Sequence, residues 1–393
     1  MTIGAVICEY NPFHNGHKYQ LDKIRERLKL DYIICVMSGD FTQRGEPAIY
    51  SKEKRTEWAL ENGADLVLLL PLPFATGSAD LFAHGAVSIL NKLGCIDYLC
   101  FGSECGDIDT LYICANKLLD EGQVGSEGMR ALMKQGNTFA KSRYLLFPEF
   151  EAILAHPNNV LALEYLMALI RTKSKIQPFT LKREGEAYDD DELLENTDYL
   201  SANAIRKSIL CGNPAKLNDF VPYDVTKIHE KPICANDFSG ELYYALLTQK
   251  NELNEFLESS DDLTKRIENA LYEYRDFTSF VEEIKTKNYT YSRISRTLLH
   301  IMLNVQGSNT FYKELADYIT HVRVLGFRQE SSELLAEIDN KSSITMITKI
   351  PSIYDSLNKP MKKILDNEVF AAALYDRISG AHVHEYSKPI VIK

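Results

Sequence analysis

The sequence predicts an α/β protein whose first half forms a Rossmann-like parallel sheet. Four short apolar runs, "TIGAVICEY", "DYIICVM", "DLVLLLP" and "DYLCFGSE", alternate with amphipathic stretches of helical periodicity. Two of these stretches, "SKEKRTEWALENG" and "SADLFAHGAVSILNKLG", end in glycine, as helices often do. Nearly continuous apolar strands separated by single helices are typical of a parallel sheet that is covered on both faces.

The alternation stops after residue 105. Residues 108–172 have helical character throughout, so we predict a helical insertion over about 106–172. "KIQPFTLKRE" then predicts a fifth strand, an acidic run "EAYDDDELLE" follows it, and "SANAIRKSIL" begins a helix. "NPAKLNDFVPYD" has the composition of a linker, and the chain after it is charged and tyrosine-rich. We therefore predict two domains, 1–215 with five parallel strands and 216–393 with mainly α-helical structure.

Composition narrows the class of protein. The 393 residues are 45% hydrophobic and carry a net charge of −11, which argues against a protein that coats nucleic acid indiscriminately. No apolar run approaches the roughly 20 residues that span a bilayer, and no secretory leader is visible, so we expect a cytoplasmic protein. The eight cysteines contain no CxxC pair; buried reduced thiols are predicted, with a zinc site or a disulfide framework as alternatives.

Two histidines follow the first predicted strand, in "EYNPFHNGHKYQL". His14 and His17 are three residues apart, so at helical spacing both imidazoles can face one ligand. Gly16 lets that ligand approach the backbone, and the first helical N–H groups with the helix dipole favour an anion there. Together with Lys18, these features suit a polyphosphate. Two surface histidines on a glycine turn, or a zinc pair that lacks further ligands, are the alternatives.

Longer motifs carry a resemblance to a known family. "EYNPFHNGH", "VMSGDFTQRGEPAIYSKEKRTEWAL", "GADLVLLLPLPFATGSADLFAHGAVSIL", "FGSE", "PNNVLALEY" and "SANAIRK" occur in this order, and "TKNYTYSRISRTLLHIML" follows at 286–303. The chain thereby resembles the bacterial tRNA(Met) cytidine acetate ligase family, within the HxGH nucleotidyltransferase-like superfamily. The resemblance implies an HxGH-type sheet. It also implies an enzyme that uses ATP and acetate to acetylate N4 of the wobble cytidine of elongator tRNA(Met), through acetyl-adenylate.

The resemblance assigns roles to individual residues. His14 and His17 would act at the α-phosphate as the catalytic residues. ATP would also contact the turn around them and five later residues, which are Ile7, Cys8, Glu9, Tyr10, Asn11, Pro12, Phe13, Asn15, Gly16, Lys18, Tyr19, Gln20, Gly102, Asn158, Arg183, Ser201 and Arg206. Mg²⁺ is inferred from ATP chemistry alone, and no residue set predicts a dedicated metal site. The oligomeric state is left open.

Several of these residues also have simpler interpretations. Gly102 is equally suited to an ordinary turn at the end of a strand, and Arg183 to the protein surface. Asn158 could cap a helix, and Ser201 or Asn203 could do the same for the helix in "SANAIRK". The loop "SGDFTQRGEPA", with Asp40, closes over the ligand edge or is a plain surface loop.

A basic, aromatic stretch near residue 290 is the candidate RNA contact. "KTKNYTYSRISRTLLH" contains Lys285, Lys287, Arg293 and Arg296 beside two tyrosines, and an acidic protein can bind tRNA through such a confined face. A charged amphipathic helix with core tyrosines is the alternative. For the whole chain, the alternative functions are adenylylation of a small phosphate ester and non-catalytic binding of nucleotide or RNA.

Overall fold

The computed structural model describes residues 1–120, 127–132, 139–183, 199–213 and 217–393. The acidic run at 186–195 and the predicted domain boundary at 215 lie outside the described residues, as do parts of the predicted insertion, 121–126 and 133–138. The domain division therefore stays a prediction.

Among the described residues, eight strands form a single sheet. The strands are β1 Ile3–Cys8, β2 Tyr32–Ser38, β3 Leu66–Leu70, β4 Tyr98–Ser103, β5 Gln177–Lys182, β6 His321–Phe327, β7 Thr345–Ile347 and β8 Val391–Ile392. Their order is β5-β4-β1-β2-β3-β6-β7, and β8 also pairs with β6. The first five strands are parallel to one another, which confirms the predicted Rossmann-like core.

The predicted count of five strands is wrong. Strand β6 adds antiparallel to β3, and β7 and β8 lie parallel to β6. The sequence "HVRVLGF" has the β-branched, apolar character of a strand, but it stands alone among helices, and the edge of β3 that it covers is far away in the chain. The C-terminal half thus completes the sheet of the N-terminal half, because an uncovered edge at β3 would leave its N–H and C=O groups unpaired.

Helices cover both faces of the sheet. They are α1 Asn15–Leu28, α2 Lys52–Glu61, α3 Leu72–Ala75, α4 Ala79–Leu93, α5 Ile108–Asp120, α6 Phe139–Leu146, α7 Glu151–Leu154, α8 Pro157–Arg171, α9 Ala202–Leu210, α10 Ser239–Thr248, α11 Asp261–Ala270, α12 Phe277–Ile284, α13 Tyr291–Met302, α14 Asn309–Ala316, α15 Ser332–Lys341 and α16 Lys359–Ser379. Within the described ranges, no single helix has the length and apolarity to cross a membrane; only Pro148–Leu154 and Pro157–Arg171 together, bent by 109° at their junction, meet both criteria.

Alternate residues of the strands pack into two different hydrophobic cores. Ile34 and Val36 of β2 face one core, which contains α4, α8 and the C-terminal helices, whereas Cys35 and Met37 face a second core with α1, α2 and α9. This is the period-two alternation that a strand buried on both faces requires. All eight cysteines, each within the described ranges, are free thiols, and four of them are buried.

A buried ion cluster fixes the C-terminal segment to the sheet. Lys52 pairs with Asp40 at 2.7 Å and with Glu385 at 3.1 Å, and the three side chains are almost inaccessible to water. Lys388 and Arg323 also pair with Glu385, at 3.4 and 2.8 Å. Asp40 is therefore an internal ion-pair partner, and the sequence-based expectation that it faces a ligand is wrong.

Candidate active site

The strand order predicts a ligand crevice between β1 and β4. The chain proceeds from β1 to β2 and β3 on one side, then returns to place β4 on the other side of β1. In open α/β sheets, ligands bind at the carboxyl ends of the strands beside such a reversal. The histidine turn follows β1, and "FGSE" ends β4, so the sheet brings these two motifs to the two sides of one crevice.

The histidine turn is anchored by aromatic packing. Tyr10, at a φ of 48°, and Phe13 are buried, and their ring centroids lie 4.8 Å apart at 70°. The Tyr10 ring also lies 4.8 Å from the ring of His17. These contacts hold the segment between β1 and α1 in one conformation, so the two imidazoles have fixed positions.

His14 and His17 form one stacked unit at the start of α1. Their ring centroids lie 3.7 Å apart, with 26° between the ring planes. His14 is the N-cap residue, and its Nδ1 accepts a hydrogen bond from the Gly16 N–H at 3.1 Å. In return, Nδ1 of His17 accepts from the His14 N–H at 3.3 Å. The pair therefore forms a reciprocal capping box of the kind usually built from serine and glutamate.

These contacts determine the protonation state of both rings. Burial, followed by Arg183 and Arg206, lowers the pKa of His14 to about 3. Burial, followed by His14 and Arg183, holds the pKa of His17 well below its usual value. Both imidazoles are thus neutral at pH 7, and because each Nδ1 accepts a backbone N–H, each proton must reside on Nε2. The pair offers two uncharged N–H donors.

The backbone N–H groups at the start of α1 are already occupied. Asn15 donates to the Phe220 carbonyl at 2.9 Å, Gly16 donates to His14 Nδ1, and His17 and Lys18 donate to the His14 carbonyl at 2.9 and 3.1 Å. The expectation that these groups receive an anion is wrong. Gly16 has a different role as well, because a Cβ atom there would lie 2.9 Å from His14 Cε1. The missing side chain accommodates the imidazole of His14.

Arg183 lies across the crevice from the turn. Its backbone N–H pairs with the Ser103 carbonyl at 2.9 Å, directly after β5, and its side chain passes over Gly102. A Cβ atom at Gly102 would lie 3.3 Å from Arg183 Cγ, so the bare glycine gives the arginine room. Arg183 also acts on both imidazoles electrostatically, which places its positive charge at the same site.

Arg206 holds the turn from the side of α9. Ser201 is the N-cap of that helix and accepts from the Ala204 N–H at 3.2 Å, which confirms Ser201 rather than Asn203 as the cap. Nη1 of Arg206 donates to the Asn11 carbonyl at 2.7 Å, and Nη2 donates to Asn203 Oδ1 at 3.4 Å. A second guanidinium therefore lies beside the histidine turn, partly engaged by the turn itself.

The start of α8 reaches the same crevice. The N-cap of this helix is His156, so the interpretation of Asn158 as the capping residue is wrong. Asn158 is instead bound by Glu104 of "FGSE", through its backbone N–H at 3.2 Å and its Nδ2 at 2.6 Å. Its Oδ1 lies 3.5 Å from Nη1 of Arg183. Sequence analysis missed Glu104, although a carboxylate that directly follows a strand at the ligand edge was the available signal.

A hairpin over residues 41–47 connects the turn to the C-terminal half. Phe41 and Pro47 pair as an antiparallel bridge at its base. On one side, the Gln43 N–H donates to Glu9 Oε1 at 2.7 Å, and on the other side Ser295 Oγ donates to the Gly45 carbonyl at 2.9 Å. The predicted loop "SGDFTQRGEPA" thus lies between the histidine turn and α13.

Arg55 is a further residue that sequence analysis missed. Its side chain is fully buried and donates to the carbonyls of Tyr50, Glu9, Ser38 and Gly39. The carbonyls of Glu9, Ser38 and Gly39 stand where β1 and β2 end, so one arginine fixes the mutual position of the two loops that border the site.

The four candidate RNA contacts do not share one environment. Lys285 and Lys287 are exposed on the turn between α12 and α13. Arg293 lies 5.4 Å from the ring centroid of Tyr289. Arg296 is largely buried and pairs with Glu258 at 2.7 Å, and its Nη1 donates to the Gln43 carbonyl of the hairpin at 3.4 Å. Arg296 therefore supports the hairpin, whereas the other three remain at or near the surface.

The comparisons with known proteins cover nearly the whole chain. A family model described as HIGH Nucleotidyl Transferase matches residues 1–388. The tRNA(Met) cytidine acetate ligase of Thermoanaerobacter sp. (strain X514) is 40% identical over 389 residues, 95% of each chain. That of Clostridium perfringens (strain SM101 / Type A) is 38% identical over 365 residues, 89% of this chain and 90% of the relative.

Solved structures agree with these relatives. Thermotoga maritima TmcAL bound with alpha-thio ATP superimposes with a TM-score of 0.89 at 29% identity, over 100% of this chain and 99% of that chain. Its apo form gives a TM-score of 0.91 over the same shares. The resemblance that the motifs carry thus extends over the fold as a whole.

Proposed function

The chain belongs to the tRNA(Met) cytidine acetate ligase family, and we propose that it acetylates the wobble cytidine of elongator tRNA(Met) with ATP and acetate. The acetate carboxylate attacks the α-phosphorus of ATP, which forms acetyl-adenylate and releases pyrophosphate. N4 of the cytidine then attacks the acetyl carbon, AMP leaves, and the amine loses a proton to give N4-acetylcytidine. The reaction belongs in the cytoplasm, where these substrates occur.

The stacked pair His14–His17 is the observation that carries this proposal. Two neutral imidazoles, each with its proton on Nε2, can donate to the oxygens of an α-phosphate as negative charge develops there. Arg183 and Arg206 place positive charge beside the same rings and would stabilise the departing pyrophosphate. No protein nucleophile is required, so catalysis consists of positioning and charge stabilisation.

The proposed ATP contacts surround this pair. Residues 7–20 comprise the end of β1, the histidine turn and the start of α1. Gly102 gives the nucleotide access to the sheet edge, and Asn158 with Arg183 lies opposite. Ser201 contributes through the cap of α9, since its hydroxyl already accepts the Ala204 N–H. Arg206 then bridges α9 and the turn. With these roles assigned, the two Nε2–H groups and the two guanidinium groups remain as the direct hydrogen-bond donors to the phosphates.

No group of three or more His, Cys, Asp or Glu side chains in the described ranges is arranged to hold a metal ion. The carboxylates nearest the crevice are engaged, Glu9 by the hairpin and Glu104 by α8. We therefore propose that Mg²⁺ accompanies the ATP phosphates, as it does in many phosphate sites, and assign no protein ligand to it.

The tRNA contact is proposed for the surface around the start of α13. Lys285, Lys287 and Arg293 are candidate contacts to the RNA backbone, and the neighbouring tyrosines are suited to stacking on bases of a single-stranded loop. Arg296 anchors the hairpin that separates this surface from the histidine turn. The wobble base lies in a single-stranded loop, so placing it at the site costs less than extracting a paired base.

One assay tests the proposed function. The full chain is incubated with ATP, Mg²⁺, labelled acetate and transcribed elongator tRNA(Met), and the label is located by nucleoside analysis. We expect N4-acetylcytidine only when ATP, acetate and the intact histidine pair are all present. Incorporation that requires acetyl-CoA instead of acetate and ATP would contradict the proposal, as would label on a small phosphate ester.

A further inference from the structure

Glu104 makes an unusually complete set of contacts at the start of α8. Its Oε1 accepts from the Asn158 N–H at 3.2 Å and from Asn158 Nδ2 at 2.6 Å, and its Oε2 accepts from the Asn159 N–H at 2.8 Å. Asn159 Oδ1 accepts in return from the Cys105 N–H at 3.0 Å. Both carboxylate oxygens are thus committed to one helix end that borders the crevice.

This network fixes the orientation of the Asn158 carboxamide. An ionised carboxylate can only accept hydrogen bonds, so the amide nitrogen of Asn158 must face Glu104. The amide oxygen must then point the other way, where it lies 3.5 Å from Nη1 of Arg183. The hydrogen-bonding partners therefore determine which way the amide oxygen and nitrogen of Asn158 face. Asn158 presents an acceptor to the crevice.

The amide oxygen of Asn158 lies where a nucleotide bound at the histidines would place its nucleoside. Arg183 lies against Gly102 at the end of β4 and acts on both His14 and His17. A nucleotide whose phosphates meet the imidazoles would extend its nucleoside along this edge, towards Gly102 and Asn158. The groups of adenosine that can donate to an amide oxygen are the exocyclic amine of adenine and the ribose hydroxyls.

We propose that Glu104 is a positioning residue for ATP: it holds Asn158 so that the amide oxygen accepts a hydrogen bond from the adenosine moiety. The inference rests on the proposed function in taking ATP as the ligand. Glutamine at position 104 would present an N–H₂ group where only acceptors fit, since all three donors of Asn158 and Asn159 face it. Asn158 would then lose its fixed orientation.

The test measures ATP binding by calorimetry on the full chain, without acetate or tRNA. Loss of one neutral hydrogen bond predicts that Glu104→Gln and Asn158→Ala each weaken ATP binding about tenfold. Because Glu104 acts through Asn158, the double variant should also lose about tenfold rather than about a hundredfold. Unchanged affinity in Glu104→Gln, or losses that multiply in the double variant, would overturn the proposal.

Nucleotide analogues identify which donor of adenosine is involved. Inosine triphosphate replaces the adenine amine by a carbonyl, and 2′-deoxy-ATP and 3′-deoxy-ATP each lack one ribose hydroxyl. The wild-type chain should prefer ATP over one of these analogues, and Glu104→Gln should reduce that preference. A merely structural role for Glu104 lowers stability without altering selectivity, so a selectivity equal to that of the wild type overturns the proposal.

Two further variants control for folding and charge. Glu151→Gln removes an exposed carboxylate from the first turn of α7 and should leave ATP binding unchanged. If the Glu104→Gln chain does not fold, Glu104→Asp is measured instead. Aspartate retains the charge at the helix end, but its side chain is too short to keep all three hydrogen bonds. If the chain binds ATP but acetylates no substrate, only the proposed function is contradicted. The comparison of ATP binding among these variants remains valid.

Discussion

The rings of Trp58 and Tyr223 stack with their centroids 3.9 Å apart and their planes 4° from parallel. Trp58 lies on α2, and Tyr223 belongs to the segment after α9 that crosses the start of α1. The Tyr223 hydroxyl donates to the Phe13 carbonyl at 2.9 Å. The only tryptophan of the chain is thereby connected to the histidine turn through a single residue.

Substitution of Tyr223 tests this connection. Tyr223→Phe keeps the stack but removes the bond to Phe13, so we expect a loss of about 1 kcal/mol in the free energy of unfolding with unchanged tryptophan emission. Tyr223→Ala exposes Trp58, which is 2% accessible, and should shift its emission to longer wavelength. Tyr272→Phe, at an exposed position, is the control. An emission shift in Tyr223→Phe would contradict the expected geometry.

Asparagine at position 14 separates the capping role of His14 from its proposed chemical role. Asparagine caps helices well, so His14→Asn should retain the wild-type free energy of unfolding within about 1 kcal/mol. It lacks the Nε2–H donor, and loss of one transition-state donor predicts a decrease in the rate of acetyl-adenylate formation of about 100-fold or more. Pyrophosphate release measures that rate. A variant of normal rate would remove His14 from the mechanism.

The lowered pKa of His14 gives stability a defined pH dependence. The folded chain keeps the ring neutral down to about pH 3, whereas the unfolded chain takes up a proton near pH 6.5. The contribution of this group is therefore fully present above pH 6.5 and declines as the pH falls towards 3. Relative to His14→Asn, the wild type should lose up to about 2 kcal/mol between pH 7 and pH 5. Chemical denaturation at both pH values measures this difference.

Arg183 provides an independent check on the same rings. Its positive charge lowers the pKa of both imidazoles, so Arg183→Gln should raise both values. Titration of the histidine Cε1 resonances by NMR reports each ring. Unchanged values in the variant would place the guanidinium farther from the pair than the structure does.

Arg293 and Arg296 should respond differently to alanine. Arg296→Ala leaves the buried carboxylate of Glu258 without its partner and should cost about 3 kcal/mol in the free energy of unfolding. Arg293→Ala should change stability by less than about 1 kcal/mol and weaken tRNA binding roughly two- to tenfold. Gel-shift titration and denaturation measure the two quantities. Arg266→Ala, which removes a charge from an exposed i,i+4 pair, is the control.

Gly45→Ala tests the hairpin against a matched glycine. Gly45 has a φ of +81°, and a Cβ atom there would overlap the backbone nitrogen of Arg296. Gly212 has a similar φ of +76° but no atom within 4 Å. Gly212→Ala should therefore cost only the backbone term of about 1 kcal/mol, and Gly45→Ala distinctly more. Equal losses in thermal denaturation would show that the hairpin moves freely away from α13.

The sequence predicted features that depend on local pattern. The five parallel strands follow from apolar runs, and the placement of His14, His17 and Arg183 at one edge follows from the rule that strand ends share one edge. Arg206 lies on a helix, and only the family resemblance assigned it to the site. Features set by distant partners were missed. Glu104 acquires its role only when α8 arrives beside β4, and β6 pairs with β3 across roughly 250 residues of chain. Arg296 resembled a surface charge because Glu258 lies in another segment.

The first four N–H groups of α1 already have acceptors, so the proposed recognition of phosphate there depends on side chains. Glycine-rich loops that cradle phosphate with their peptide groups retain their function while most neighbouring residues change. A site composed of imidazole and guanidinium groups is more sensitive to substitution, because replacing any one of these side chains removes the hydrogen-bond donor that it supplies. Random mutagenesis scored by nucleotide affinity should therefore find this turn as intolerant as a protein core, although it is a ligand-facing loop.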